Sequence, residues 1–290
     1  MIIQPRTLLN KVPEVTVAFW VIKILCTTVG ETAADYLNGA LGWGLTCTSL
    51  AMTALLIAAL AVQFRLSRYI PPAHWIAVVL LSIVGTLITD NLTDNFGVTL
   101  VTTTVLFGLV LVAVFSAWYA VEKTLSIHSI VTVRREAFYW LAIMFTFALG
   151  TAAGDLAAER LGLGYGTSAG VFASIIAAIA IAYYAYYGAS ATGARGEAGA
   201  VLAFWLAYIL TRPLGASIGD LLSQARADGG LGLGATGTSA LFLAVILTVI
   251  VYLTRTGADQ PREAVILPAL RDNPRRAAPA TRAAEHLTDL

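Results

Sequence analysis

Four carboxylates recur along this 290-residue chain at a fixed distance from a tryptophan and a glycine, each inside an apolar stretch. The sets are Trp20/Gly30/Asp35, Trp75/Gly85/Asp90, Trp140/Gly150/Asp155 and Trp205/Gly215/Asp220. A carboxylate at membrane depth costs free energy, so four of them at one repeated position need a reason. Ion handling is the leading one.

Residues four and eight before each Asp share its helix face. The resulting stripes are Thr27/Glu31/Asp35, Ser82/Thr86/Asp90, Phe147/Thr151/Asp155 and Arg212/Ala216/Asp220. Three of them carry an oxygen-bearing side chain one turn from the Asp. Carboxylate and hydroxyl oxygens are hard ligands suited to alkali, alkaline-earth or manganese-like cations, and a carboxylate can also carry a proton. Glu31 and Asp35 form the richest pair and the candidate metal site. Two such groups in a low-dielectric site resist double ionisation, which provides a basis for exchanging a proton for a cation.

Arg212 and Lys23 add fixed positive charge to the same faces and read as counter-ions or gate elements. Arg212 is too far from Asp220 along one helix for a direct bond, so its expected partner is an Asp on a neighbouring helix. Pro213 follows it, and a proline inside a helix predicts a kink there. Each of these residues also has a structural reading. Gly30, Gly85, Gly150 and Gly215 either mark helix crossings or line a pore. The Asp residues either handle ions or lock the bundle through polar partners. Trp20, Trp75, Trp140 and Trp205 read as anchors at the lipid headgroups.

The elements that position these residues are membrane-spanning helices. Hydrophobic residues make up 58% of the chain and charged residues 12%, and the mean hydropathy is +0.78. These values exclude an ordinary soluble domain. Eight apolar runs of about twenty residues can cross about 30 Å of hydrocarbon. They cover approximately Val15–Leu37, Leu45–Phe64, Trp75–Leu92, Leu100–Val121, Phe138–Leu156, Gly166–Tyr187, Val201–Leu222 and Gly237–Leu253. The opening residues lack a signal-peptide pattern, so the first span is expected to be retained.

The fold class is therefore an all-α integral membrane protein, with eight transmembrane helices arranged as four helical-hairpin repeats of parallel orientation. The segments are 1–11, an N-terminal cytoplasmic stretch; repeats at 12–66, 67–124, 125–189 and 190–256; and a polar tail, 257–290, expected to be disordered. Each repeat has an even number of spans, so all four enter the membrane the same way. Inverted repeats are excluded, and the symmetry axis lies along the membrane normal, as a fourfold ring or as two halves. Of the 18 basic residues, 14 lie at the N-terminus, between repeats or in the tail. The positive-inside rule then puts both termini in the cytoplasm and the four Asp residues toward the outer face.

Other chemistries lack residues. His74, His128 and His286 form no metal cluster, Cys26 and Cys47 form no CxxC pair, and Walker and G-x-S-x-G motifs are absent. The chain is expected to be neither an enzyme nor a nucleic-acid binder and to need no cofactor.

Four Trp-centred, two-helix units resemble a family of bacterial inner-membrane proteins defined by four tandem repeats of unknown function, each with two transmembrane segments and a tryptophan. The resemblance covers about residues 12 to 256 and implies an eight-helix protein of the bacterial inner membrane. It implies no substrate. The residues themselves favour a secondary transporter for a small inorganic cation, divalent metals among the candidates, coupled to protons through Glu31 and the four Asp residues, with Thr27, Ser82, Thr86 and Thr151 replacing water around the ion. The bilayer, the cation and the proton are the expected partners. The rivals are a cation channel with a ring of Asp residues and a non-transporting scaffold or sensor, while Arg212 keeps anion transport open.

Overall fold

The structure, a computed structural model, describes residues 10–187 and 194–261. Among these residues, eight helices are long and apolar enough to cross a membrane. They are α1 (Val17–Asp35), α2 (Gly44–Arg65), α3 (Pro71–Asp90), α4 (Leu100–Glu122), α5 (Val133–Asp155), α6 (Tyr165–Tyr187), α7 (Ala194–Ser223) and α8 (Gly234–Thr256). Helices are what lipid demands, because each backbone polar group must find its partner within the segment. Thr16, Thr99 and Thr132 cap α1, α4 and α5 through their side chains, and a proline pair opens α3.

The odd-numbered helices close into a ring in which α1 packs on α3, α3 on α5, α5 on α7 and α7 on α1. The even-numbered helices form an outer layer. In the inner spans 50 to 67% of residues are buried, against 11 to 28% in the outer ones, so the outer layer faces lipid. Two candidate symmetries therefore reduce to one, a pseudo-fourfold ring around the membrane normal.

The four repeated glycines set the spacing of that ring. A Cβ on Gly30 would lie 2.6 Å from Ser82 Cβ, one on Gly85 2.6 Å from Phe147 Cβ, one on Gly150 2.5 Å from Arg212 Cβ and one on Gly215 2.6 Å from Thr27 Cβ. Each glycine thus meets the residue eight before the Asp on the next inner helix, and the pattern returns to the first repeat. Small residues permit this backbone approach where apolar lipid supplies no hydrophobic drive for helix association.

The hairpin expected from the sequence holds as a connection but not as a packed pair. Each outer helix packs chiefly on the inner helix of the following repeat: α2 on α3, α4 on α5, α6 on α7 and α8 on α1. Within a repeat, only α7 and α8 make an appreciable contact, and a smaller one. The ring is therefore interlocked.

Toward the helix N-termini, the ring is covered by the chain ends and linkers. The Lys11 ammonium reaches Glu136 Oε2 at 2.6 Å, with both groups at most 5% exposed, and Gln63 Nε2 donates to Glu136 Oε1 at 3.4 Å. Asn10 Nδ2 donates to the Ile127 carbonyl at 3.1 Å. Of the tail expected to be disordered, residues 257–261 are ordered, because Asp259 is buried and accepts a hydrogen bond from Tyr69 while its carbonyl accepts from Glu14 N at 3.0 Å. Burial raises both the Asp259 carboxyl and the Tyr69 phenol above their usual ranges. Residues 1–9 and 262–290 lie outside the described residues.

Gly85→Leu is expected to destabilise the protein by about 1–3 kcal/mol or more, because an enlarged side chain must enter a filled contact. Gly170→Leu, at a glycine with open space around it, is expected to be near neutral. Thermal unfolding in detergent, followed by the loss of monodisperse protein, measures both, and equal stability of the two variants contradicts the ring contact.

Candidate functional site

Because α1, α3, α5 and α7 carry Asp35, Asp90, Asp155 and Asp220 in one register, the ring presents its lining in layers about 6 Å apart, one for every four residues. Starting from the Asp layer and moving toward the helix N-termini, the second layer is Glu31, Thr86, Thr151 and Ala216. The third is Thr27, Ser82, Phe147 and Arg212, and the fourth is Lys23, Val78, Ile143 and Tyr208.

Arg212 organises the second and third layers. Its guanidinium is fully buried, and it donates to atoms of all three other inner helices. Nη1 bonds the Thr27 carbonyl at 2.6 Å, and Nη2 bonds Glu31 Oε2 at 2.7 Å, Thr151 Oγ1 at 2.7 Å and Thr86 Oγ1. The expected partner was an Asp of a neighbouring helix. The partner found is Glu31, because a side chain rooted eight residues from its own Asp reaches only the next layer.

The same bonding engages the hydroxyls named as ion ligands from the sequence. The Thr86 and Thr151 hydroxyls accept from Arg212 and donate to the carbonyls of Ser82 and Phe147, each at 3.2 Å. Thr27 Oγ1 is directed at the carbonyls of Ile24 and Thr211. All three hydroxyls are hydrogen-bonded within the protein. Ser82 Oγ is buried without a partner. Pro213 sits inside α7, which is helical from Ala194 to Ser223, and its ring lies against Gly150 and Gly154.

The fourth layer closes the column. Lys23 is fully buried, its Nζ makes no hydrogen bond, and it sits 4.1 Å from the centroid of Phe147 and 4.2 Å from that of Tyr208. The Lys23 amino group thus packs between the faces of two aromatic rings. Phe147, which with Arg212 and Ala216 lacks an oxygen among the stripe residues, thus has a specific neighbour. Tyr208 was not singled out in the sequence, although it occupies the register of Lys23 on α7.

The opposite end of the column is acidic. One carboxylate oxygen from each of Glu31, Asp155 and Asp220 falls within 4.8 Å of the others. Glu31, one member of the metal pair expected from the sequence, is thus joined by carboxylates from repeats 3 and 4, and Asp35 is not among these three. Asp90 lies within electrostatic reach of Glu31 and Asp35, and Asp220 within reach of Glu31, Asp155 and Asp35, so all four Asp residues belong to one charged group. None of the four carboxylates accepts a hydrogen bond from a described residue.

Immediately after Asp35, Asp90 and Asp155, the backbone widens into a five-residue π-helical turn, at Tyr36–Ala40, Asn91–Asn95 and Leu156–Arg160. Leu41 N bonds Tyr36 O at 3.0 Å, Phe96 N bonds Asn91 O at 3.0 Å and Leu161 N bonds Leu156 O at 2.9 Å. Such turns are rare and gather at functional positions. The glycines that follow, Gly42, Gly97 and Gly162, take positive φ values of 66 to 69°, so these connections are tight turns.

The tryptophans are not the headgroup anchors expected. Trp75, Trp140 and Trp205 are 1, 3 and 4% exposed, because the chain ends and linkers cover the ring at their depth. Their indole N–H groups find polar partners inside the protein: Tyr69 Oη at 3.1 Å, Glu136 Oε1 at 3.5 Å and the Leu125 carbonyl at 2.9 Å. Trp20 is partly buried, edge-on to Phe19.

Against known families, the model described as Repeat of Unknown Function (DUF347) matches residues 18–69, 73–124, 138–188 and 203–259. The chain belongs to this family. Comparison with curated proteins and with solved structures gives no match.

Arg212→Met leaves Glu31 in the ring without its cation and is expected to cost about 3–5 kcal/mol. Arg212→Met combined with Glu31→Gln is expected to recover more than half of that loss. Melting temperatures of the parent, single and double variants in one detergent measure the effect. A single variant as stable as the parent rules out a holding role for the guanidinium.

Proposed function

We propose that the protein is a secondary transporter of a small inorganic cation, most suitably a divalent one, exchanged for protons at the acidic end of the central column. The observation that carries this reading is the convergence of Glu31, Asp155 and Asp220 oxygens from three repeats within 4.8 Å, directly above a buried guanidinium. Oxygens on opposite sides of a calcium-sized ion are about 4.6–5.2 Å apart, so the group has the right spread for such a shell. Carboxylates also belong to the ligand class that suits magnesium, calcium and manganese.

Charge balance supports the coupling. Five carboxyl groups (Glu31, Asp35, Asp90, Asp155 and Asp220) share the column with one permanent cation, Arg212. Such an excess of negative charge in a low-dielectric setting has to be met by bound cations or by protons, so the arrival of one drives departure of the other. Arg212 serves as the tethered competitor: a cation that takes Glu31 loosens the bond between Glu31 and the guanidinium, and with it the contact between the first and fourth repeats. Phe147 at the depth of Arg212, with Tyr208 and Lys23 one layer below, fills the column, a geometry that favours a transporter with alternating closure over an open channel. The distribution of basic residues supports both termini being cytoplasmic in a bacterial inner membrane, with the acidic mouth outside.

A scaffold or sensor is the second reading. It draws on the same guanidinium, whose bonds to three other helices also serve a static bundle.

In liposomes carrying an internal Mn²⁺ indicator and a pH dye, the parent is expected to admit Mn²⁺ and release protons in return. Asp155→Asn and Asp220→Asn are each expected to lower the uptake at least tenfold, while Asp94→Asn, at an exposed site on the π turn, leaves it within twofold. Parental uptake by Asp155→Asn and Asp220→Asn, or no uptake by a well-folded parent, overturns the transporter and leaves the scaffold.

A further inference from the structure

The ring is not equally closed at its four seams. In the first three repeats the turn glycine follows the Asp by seven residues, at Gly42, Gly97 and Gly162. In the fourth, the positive-φ glycines before Gly234 are Gly229 and Gly232, about nine and twelve residues after Asp220. That repeat also has no π turn: Gln224 N bonds Asp220 O in an ordinary helical spacing at 2.9 Å, and a longer loop then leads to Gly234. Repeats 1 and 4 therefore meet with unlike ends. Between them lies an open cleft of about 370 Å³, lined by Asp35, Asn38, Gly39, Ser223, Gln224 and Ala235.

The cleft is built of oxygen donors that are not spent on one another. Ser223 is 8% exposed, and its Oγ is buried without a hydrogen-bond partner although its residue lines the cleft. No described residue hydrogen-bonds the side chains of Asp35, Asn38 or Gln224. Among the lining residues there is no cation. The seam between repeats 1 and 2 makes the comparison: its cleft, of about 350 Å³, is lined by Ser49, Thr53, Val84, Leu87, Ile88, Asn91, Leu92 and Phe96, mostly apolar, and Asn91 there already donates to Ser49 Oγ at 2.7 Å.

We infer that the cleft between the first and fourth repeats is an entry site for the transported cation, in which Asp35 supplies the charge and Asn38, Ser223 and Gln224 supply neutral oxygens. A hydrated inorganic cation exchanges part of its water for these oxygens, a hard-ligand set suited to a divalent ion. Asp35 stands one helical turn from Glu31, so a cation released by Asp35 next meets the triad of Glu31, Asp155 and Asp220. This inference rests on the transport reading. It adds that loading occurs at one seam, not through a fourfold mouth.

The test places a thiol in the cleft by Ser223→Cys in a Cys26→Ala, Cys47→Ala background and follows its reaction with a charged methanethiosulfonate in proteoliposomes. The thiol is expected to react, and Mn²⁺ is expected to slow the reaction at least fivefold where N-methylglucamine does not. Asp35→Asn is expected to abolish that protection. Asp155→Asn with Asp220→Asn is expected to preserve it, which separates this site from the triad. A thiol that does not react shows a closed seam, and one that reacts at the same rate with and without Mn²⁺ shows a cleft without a cation; either result overturns the entry site. Mn²⁺ uptake by the same S223C protein, measured in parallel, then tells whether the transport reading survives that failure.

Discussion

The structure depends on one buried guanidinium. Arg212 reaches from the fourth repeat into the centre of the ring and bonds the first, second and third repeats at a single depth. A charge there is tolerable because its two terminal nitrogens are met by a carboxylate, a carbonyl and two hydroxyls, while Nε is buried without a partner, and losing any of these acceptors exposes a desolvation cost larger than an ordinary hydrogen bond contributes. The ring's close spacing and its central charge constrain each other. The glycines let the helices approach, and that approach leaves room for one guanidinium at the axis and for little else.

Around this centre a fourfold scaffold carries an asymmetric function. Backbone contacts repeat with near-perfect register: each glycine meets the residue eight before the next Asp. The lining side chains do not repeat. At the depth of Arg212 the other repeats offer Thr27, Ser82 and Phe147, and at the depth of Glu31 they offer Thr86, Thr151 and Ala216. Four equal sites would have been four equal ion traps. A single cation facing one strong acceptor at its own depth, with unbonded carboxylates one layer above, makes a site with a direction.

Much of this was legible in the residues. The Trp, Gly and Asp register identified the repeats, and the stripes at four-residue spacing named Thr86, Thr151, Glu31 and Arg212 before any geometry was known. What the stripes lacked was a way to say which oxygens face each other across the ring, so hydroxyls that serve Arg212 read as ion ligands. Glu31 and Asp35 were paired because helical neighbours are visible in sequence, whereas Asp155 and Asp220 reach Glu31 from other helices. The tryptophans misled for a related reason: an indole with an apolar body and one donor suits a headgroup layer and a buried polar contact equally well. The π turns carry no propensity signal, although the seven-residue step from Asp to turn glycine, broken only in repeat 4, marks the seam that differs.

The interlocked outer layer explains how a local charge event can reach the whole ring. Because α8 of the last repeat packs on α1 of the first, and every other outer helix likewise rests on its successor, no inner helix can shift without displacing an outer helix that is tied by a short connection to the preceding repeat. Packed interfaces of this kind move between discrete arrangements and do not deform smoothly. The contact between α1 and α7 is the place where such a shift would begin, since it holds the bond of Arg212 to Glu31, the contact of Gly215 with Thr27 and the open cleft at Ser223. A change in what neutralises Glu31 therefore acts on the one seam whose two sides are unlike, and the closed cycle of outer helices transmits it to the other three.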